Sequence, residues 1–178
     1  WLEENGYTVN ACLAMGSSPE EISSAGNAGV NLVLSGCGCK AAEWFRQQFG
    51  TPWVEGVPYG IKFAEEQLKQ LKIAETEQIC IRPHLERKIP GSGGISVVGE
   101  GITASSFARA LEMEYGFPVR VLLPEALKSN PLLPEDRLIS CEDSMSEAFA
   151  NSGTVIADPL YQPLMPEGVP FFRYPHEA

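Results

Sequence analysis

The chain has 178 residues, 44% of them hydrophobic, which suits one domain or two small ones with a genuine core and argues against intrinsic disorder. Its 13 Lys and Arg against 23 Asp and Glu give a formal charge of -10, with no basic block and no basic stripe among aromatics, so nucleic acid and anionic membranes are poor partners. No apolar run is long enough to cross a bilayer, the start "WLEENGYTVN" is unlike a secretory signal, and an odd number of cysteines, five, fits free thiols or metal ligands in a cytoplasmic protein.

Opening at Trp1 rather than Met, the chain reads as a piece of a longer protein. Any activity is then expected of the parent, with the isolated piece inactive.

In chain order, Tyr7–Ala14 ("YTVNACLA") is apolar and partly alternating, as a strand would be. Ser18, Pro19 and Glu21 then supply an N-cap, a first helical residue and a capping-box acid. Val30–Leu34 is a continuous apolar run of the kind found in parallel strands buried on both faces, and Lys40–Phe49 places Ala41, Trp44, Phe45 and Gln48 at helical spacing. Gly50 and Pro52 end that helix, "WVEGVPYG" is a short strand with a glycine turn, and Ile61–Lys88 reads as a long helix that Pro83 must kink or end. "IPGSGG", Ile89–Gly94, is the linker candidate.

Beyond it the pattern restarts with strand "GISVVG", helix Thr103–Tyr115, strands "FPVRVLL" and "DRLISC", helix Ser144–Ala150 and strands "GTVIAD" and "VPFFRY". The alternation predicts an α/β protein of two Rossmann-like units with mainly parallel sheets flanked by helices, over residues 1–90 and 91–178. Ligands in such folds lie at the carboxyl ends of strands.

Three turns of that kind carry candidate chemistry. "SGCGC", Ser35–Cys39, offers Gly36 and Gly38 for close backbone approach and Cys37 and Cys39 as soft metal ligands. Two cysteines fall short of the four ligands of a closed zinc or iron-sulfur site, and the weightier reading of the pair alone is of small buried residues lining a tight turn. "GEGITA" satisfies G-x-G-x-x-A through Gly99, Gly101 and Ala104, between a strand and a helix as a dinucleotide site requires. The next acidic residue after a strand, Glu125, lies too far along, which favours an ordinary glycine turn.

His176, after the strand "VPFFRY", can serve as metal ligand or proton donor, although a single histidine near a chain end is more often incidental. Asp158 reads as a turn-forming Asp-Pro and His84 as a solvated surface side chain. No G-x-S-x-G, P-loop or H-E-x-x-H pattern supports a hydrolase or kinase.

Taken in order, "SPEEISSAGNAGVNLVLS", "WFRQQFGTPWVEGVPYGI", "ISVVGEGITASSFARALEMEYGFPV" and "GVPFFRYPHEA" resemble the nitrogenase component 1 family: the molybdenum-iron protein subunits, their cofactor-assembly relatives and the similarly built tetrapyrrole reductases. The resemblance implies the middle and last domains of such a protein, with a nitrogenase/chelatase-like fold. In the catalytic molybdenum-iron subunit the cofactor is held by one cysteine after the first of these strands and one histidine after the last. The matching positions here are Ser35 or Gly36, with Cys37 offset by one or two, and Pro175, with His176 offset by one. The resemblance thus makes Cys37, Cys39 and His176 the candidate metal ligands, and Gly36, Gly38, Gly99 and Gly101 the candidate cofactor-contacting backbone. The family's interface iron-sulfur cluster draws on an amino-terminal domain that would precede Trp1.

The implied activity is that of a reductase subunit passing electrons from an iron-sulfur partner to a metal-cluster or tetrapyrrole site. The implied cofactor is an iron-sulfur or mixed-metal cluster in the parent, with the piece itself able to lack one. The implied partners are a homologous or identical subunit and an ATP-driven iron-sulfur reductase protein. A non-catalytic scaffold for cluster assembly and a nucleotide-binding α/β module stay open as alternatives.

Overall fold

Ser18 opens the first helix of the structure, a computed structural model that describes residues 1–13, 16–88, 94–124 and 133–174. Its hydroxyl accepts the Glu21 N–H at 3.2 Å while the Glu21 carboxylate accepts the Ser18 N–H at 2.7 Å, and Pro19 leads α1 (Pro19–Ser24) as the capping pattern predicts. Strand β1 (Asn31–Val33) follows, then α2 (Gly36–Phe49), β2 (Trp53–Glu55) and α3 (Lys62–Glu77). β1 and β2 pair in parallel with Leu32 opposite Val54, and Ile81 forms a parallel bridge to Val54 on the other side of β2.

That bridge explains why the helix expected over Ile61–Lys88 stops early. Gln78 adopts a left-handed conformation (φ 56°) immediately after α3, and the chain turns back so that Ile81 can pair with the sheet before a 3₁₀ turn at Pro83–Leu85. The strand expected at Tyr7–Ala14 does not form over residues 7–13, and Ala14 lies outside the described residues. Among the described residues β1 pairs with β2 alone.

In the second half, strands β3 (Ile95–Val98), β4 (Val119–Pro124), β5 (Arg137–Ile139), β6 (Thr154–Ala157) and β7 (Phe171–Arg173) form one all-parallel sheet in the order β5-β4-β3-β6-β7. Alternate residues go to opposite faces. Val97, Val121 and Leu123 pack against Ala104 and Ala108 of α4 (Gly101–Tyr115), whereas Val98, Leu122 and Val155 pack against Met145, Ala148 and Phe149 of α5 (Glu142–Ala150). Burial on both faces is why these strands read as continuous apolar runs.

The fold class is therefore the expected one: α/β, with a parallel sheet flanked by helices. The linker candidate falls largely on residues 89–93, outside the described residues.

Helix α4 faces both sheets. Ile102, fully buried, packs with Val33, Ala42 and Trp53 of the first sheet layer. At its other end the Glu114 carboxylate accepts the N–H groups of Ile61 and Lys62 at 2.7 and 2.6 Å, capping α3 from across the interface. These bonds hold the Glu114 carboxyl below its ordinary range.

Candidate functional site

The sheet order reverses between β3 and β6, and the crevice at the carboxyl ends of those strands is where a ligand is sought in an open parallel sheet. A cleft of about 240 Å³ lies there, lined by Ser35, Cys37, Gly99, Glu100, Thr103 and Tyr174. It brings together the turn after β1, the turn after β3 and the end of β7.

"SGCGC" is a helix start rather than a free turn. Ser35 is the N-cap of α2, and Gly36, Cys37, Gly38 and Cys39 form its first turn. Successive helical residues are about 100° apart, so two cysteines at i and i+2 diverge by about 200°. Cys37 is exposed and lines the cleft. Cys39 turns inward, packing against Val33, Ala42, Trp53 and Ile102 with its Sγ 3.9 Å from Glu55 Oε1. Burial, and next the Glu55 carboxylate, push the Cys39 thiol up to about 11, so it stays protonated at neutral pH. A Cβ at Gly38 would stand 3.3 Å from Val33 Cγ1, which accounts for the small residue there by packing.

Glu100 occupies the place that a ligand anion would take. As N-cap of α4 it accepts the N–H of Ile102 at 3.2 Å and the N–H and hydroxyl of Thr103 at 3.1 and 3.0 Å. The same carboxylate accepts the Gly36 N–H of α2 at 3.0 Å. Two helix N-termini, each carrying positive partial charge, thus share one internal carboxylate. Gly99 and Gly101 flank this residue, and a Cβ on Gly99 would meet Ala104 Cβ at 3.3 Å. The G-x-G-x-x-A spacing serves a close strand–helix junction whose amide donors are already engaged.

Across the cleft, the Tyr174 and Tyr59 hydroxyls share a hydrogen bond, and the Tyr174 ring stacks on Phe107 with centroids 5.0 Å apart. Burial first, then the Tyr59 contact, raise the Tyr174 phenol well above its ordinary range. Tyr174 is the last described residue; His176 lies outside the described residues, as does Glu125. Asp158 begins a 3₁₀ segment, where its side chain accepts the Leu160 N–H at 2.8 Å in the expected turn role.

His84 is not the solvated side chain its charged neighbourhood suggested. It is fully buried, with Nε2 3.3 Å from Glu55 Oε2, and Arg82 Nε donates to the same oxygen at 2.9 Å. The Arg82 guanidinium also lies over the Trp53 ring, 4.7 Å from its centroid. Burial alone would push the Glu55 carboxyl up; the hydrogen bonds and charges of His84 and Arg82 outweigh it and hold the group below its ordinary range. Nothing in the local pattern marks Glu55, because its partners lie 27 and 29 residues away.

Among the described residues no group of three or more His, Cys, Asp or Glu side chains could hold a metal ion. The cleft offers one outward thiol, and the Glu100 oxygens are held by N–H and hydroxyl donors. The described residues therefore do not by themselves fit a metal cluster.

An all-parallel sheet with a switch-point cleft defines a Rossmann-like α/β protein of the nitrogenase/chelatase-like kind. Residues 1–83 match the family model of the nitrogenase component 1 type oxidoreductases, the family that the chain's motifs resemble. A light-independent protochlorophyllide reductase subunit of Heliobacterium modesticaldum is 29% identical over 106 residues, covering 59% of this chain and 20% of that protein. The subunit of the same name from Rhodopseudomonas palustris is 25% identical over 91 residues, covering 50% of this chain and 17% of that protein. The matched stretch thus spans about a fifth of each relative's length. No solved structure matches. Among the described residues no helix is long and apolar enough to cross a membrane.

Proposed function

We propose that the whole protein is a cytoplasmic reductase subunit of the nitrogenase component 1 type. It would accept electrons from an ATP-driven iron-sulfur partner and pair with a homologous or identical subunit. The curated relatives are named for protochlorophyllide reduction, which makes a tetrapyrrole the first substrate class to test. The observation that carries this reading is the position of Cys37: it follows β1, opens on the switch-point cleft and faces Glu100, Thr103 and Tyr174 there.

In this reading Cys37 and His176 serve the cleft, whereas Cys39 belongs to the core between α2 and β2. A cluster in the full protein would draw donors from beyond the described residues. What the cleft residues contribute is the wall of the site: an aromatic side formed by Tyr174 on Phe107, and a backbone neutralised by Glu100.

The test uses the full-length protein with its ATP-driven donor. Reduction of protochlorophyllide or another tetrapyrrole by the wild type, with loss of turnover and of bound iron in Cys37→Ser, is the expected result. Transfer of a cluster to an acceptor protein without any turnover would replace this reading with that of an assembly scaffold. Unchanged iron and turnover in Cys37→Ser would remove Cys37 from the site.

A further inference from the structure

One corner of the switch-point cleft is aromatic and joins three parts of the fold. Tyr59 comes from the loop after β2, Phe107 from α4, and Tyr174 from the end of β7. Phe107 and Tyr174 stack with centroids 5.0 Å apart and planes 10° apart, and Tyr59 meets the two rings edge-on at 5.5 and 6.3 Å. The loop that carries Tyr59 is pinned to the same helix: the Val57 N–H donates to Ser106 Oγ at 3.0 Å, and the Tyr59 N–H donates to Val57 O at 2.8 Å. Rings packed in this way fix where the two phenol oxygens stand, and those oxygens share a hydrogen bond.

That bond links the cleft to its outside. Tyr174 lines the cleft; Tyr59 does not, and it is only partly buried beside the exposed Gly60. Of the other cleft side chains that carry a dissociable proton, Thr103 donates its hydroxyl to the Glu100 carboxylate, and Cys37 is the ligand in the reductase reading. Ser35 makes no side-chain bond at the start of α2. Among the described residues of the cleft, Tyr174 alone bonds through its hydroxyl to a second hydroxyl outside it. Two hydroxyls in sequence form a path for a proton, because each can release one on one side while accepting one on the other. Burial holds the Tyr174 phenol above its ordinary range, so it keeps its proton throughout the neutral range.

A reduction needs protons as well as electrons. We propose that Tyr174 is the proton donor to the substrate in the switch-point cleft and that Tyr59 recharges it from solvent. The relay rests on the reductase reading above. For each conjugated double bond reduced, two electrons come from the iron-sulfur partner and two protons come from water. In each proton step the Tyr174 O–H bond breaks as a bond from hydrogen to the reduced substrate forms, the Tyr59 proton passes to the Tyr174 oxygen, and water restores Tyr59. Two passes complete the reduction and leave both tyrosines as they began. A neutral phenol is an effective acid only toward a strong base, and a substrate that has just taken up electrons is one.

The test uses the full-length protein, its ATP-driven donor and protochlorophyllide, with Tyr174→Phe and Tyr59→Phe as variants. Both keep the ring and so the cleft wall, and melting temperatures check that both stay folded. In Tyr174→Phe, single-turnover reduction should slow by at least about tenfold, while substrate affinity from a fluorescence titration stays within about twofold. In mixtures of light and heavy water the wild-type rate should fall along a curve, since two protons move together. Tyr59→Phe should be slower and its rate should fall along a straight line, since one proton is left. An unchanged rate in Tyr174→Phe, a loss of rate that follows a loss of affinity, or a straight line already in the wild type overturns the relay, while wild-type turnover upholds the reductase reading. A wild type that reduces no tetrapyrrole with its donor overturns that reading and the relay with it.

Discussion

The Glu100 carboxylate accepts the Gly36 N–H at 3.0 Å across 64 residues of sequence, and so joins the first turn of α2 to the first turn of α4. One acidic side chain completes two helix N-termini that would otherwise present free amides to the cleft. The interaction is local in space but invisible in sequence, and it decides how the glycine-rich turn after β3 is used.

Glu100→Ala should therefore cost more than the loss of one cap. Removing a capping acceptor typically costs about 1 kcal/mol, so losing both gives about 2 kcal/mol, read from the urea midpoint. Glu100→Gln, which keeps an acceptor oxygen without the charge, should fall between wild type and alanine. With its amides already engaged, the wild type should show no rise in melting temperature at millimolar NAD, NADP or FAD. A clear rise with any of them would restore the dinucleotide reading of Gly99, Gly101 and Ala104.

Glu55 should make stability acid-sensitive. Its folded-state pKa is lowered, so the stabilisation it supplies is fully present above the unfolded value of about 4.3 and is lost as pH falls through the folded one. Glu55→Gln leaves the buried His84 and the half-exposed Arg82 without their shared carboxylate. At pH 7 a cost of about 2 kcal/mol is expected, less than for a fully buried pair because water screens Arg82. Melting temperatures of the two proteins should converge below about pH 4; a gap that stays constant down to about pH 3 would contradict the assignment.

The two neighbouring cysteines should behave as different residues. Cys37 is exposed, whereas Cys39 is packed in the core with a thiol held at about 11. At about pH 8 only about one in a thousand Cys39 side chains is a thiolate, and thiolate is the reactive form. Iodoacetamide followed by peptide mass spectrometry should label Cys37 at least about tenfold faster. Equal labelling of the native chain would mean that the first turn of α2 is not helical.

Ile102 should couple the two sheets. It is fully buried between α4 and the residues Val33, Ala42 and Trp53. Ile102→Ala is expected to cost about 2–4 kcal/mol through lost transfer energy and the residual cavity, and Ile102→Val about 1 kcal/mol. Tryptophan fluorescence, which follows the first half of the chain through Trp1, Trp44 and Trp53, and far-ultraviolet circular dichroism should report the same midpoint in the wild type. Separate midpoints there would show that the sheets unfold independently.

The apolar runs at Val30–Leu34, Ile95–Val98 and Val119–Leu123, and the Ser18–Glu21 capping pattern, were legible because each is set by neighbours a few residues away. From them the α/β class, the parallel sheet and the place of the turns followed. α4 and α5 begin only two residues before the predicted starts, at Gly101 and Glu142. Misjudged features depend on distant partners. Gln78 ends α3 early and Ile81 returns to pair with Val54; His84 is buried against Glu55, and Tyr7–Leu13 pairs with no strand among the described residues.

For the candidate site, the sequence by itself determined which residue types stand at the ends of strands: Cys37 and Cys39 after β1, Gly99 and Gly101 after β3. Only the tertiary structure decided what they do. Helical rotation sends one thiol to the cleft and the other to the core, and a carboxylate from the second sheet fills the amides that the glycine motif offered. The physical reason is the same in both cases. Side-chain direction and hydrogen-bond satisfaction are settled by whatever packs alongside in three dimensions: Glu100 caps its own helix locally, yet the α2 amide that it also takes lies 64 residues away.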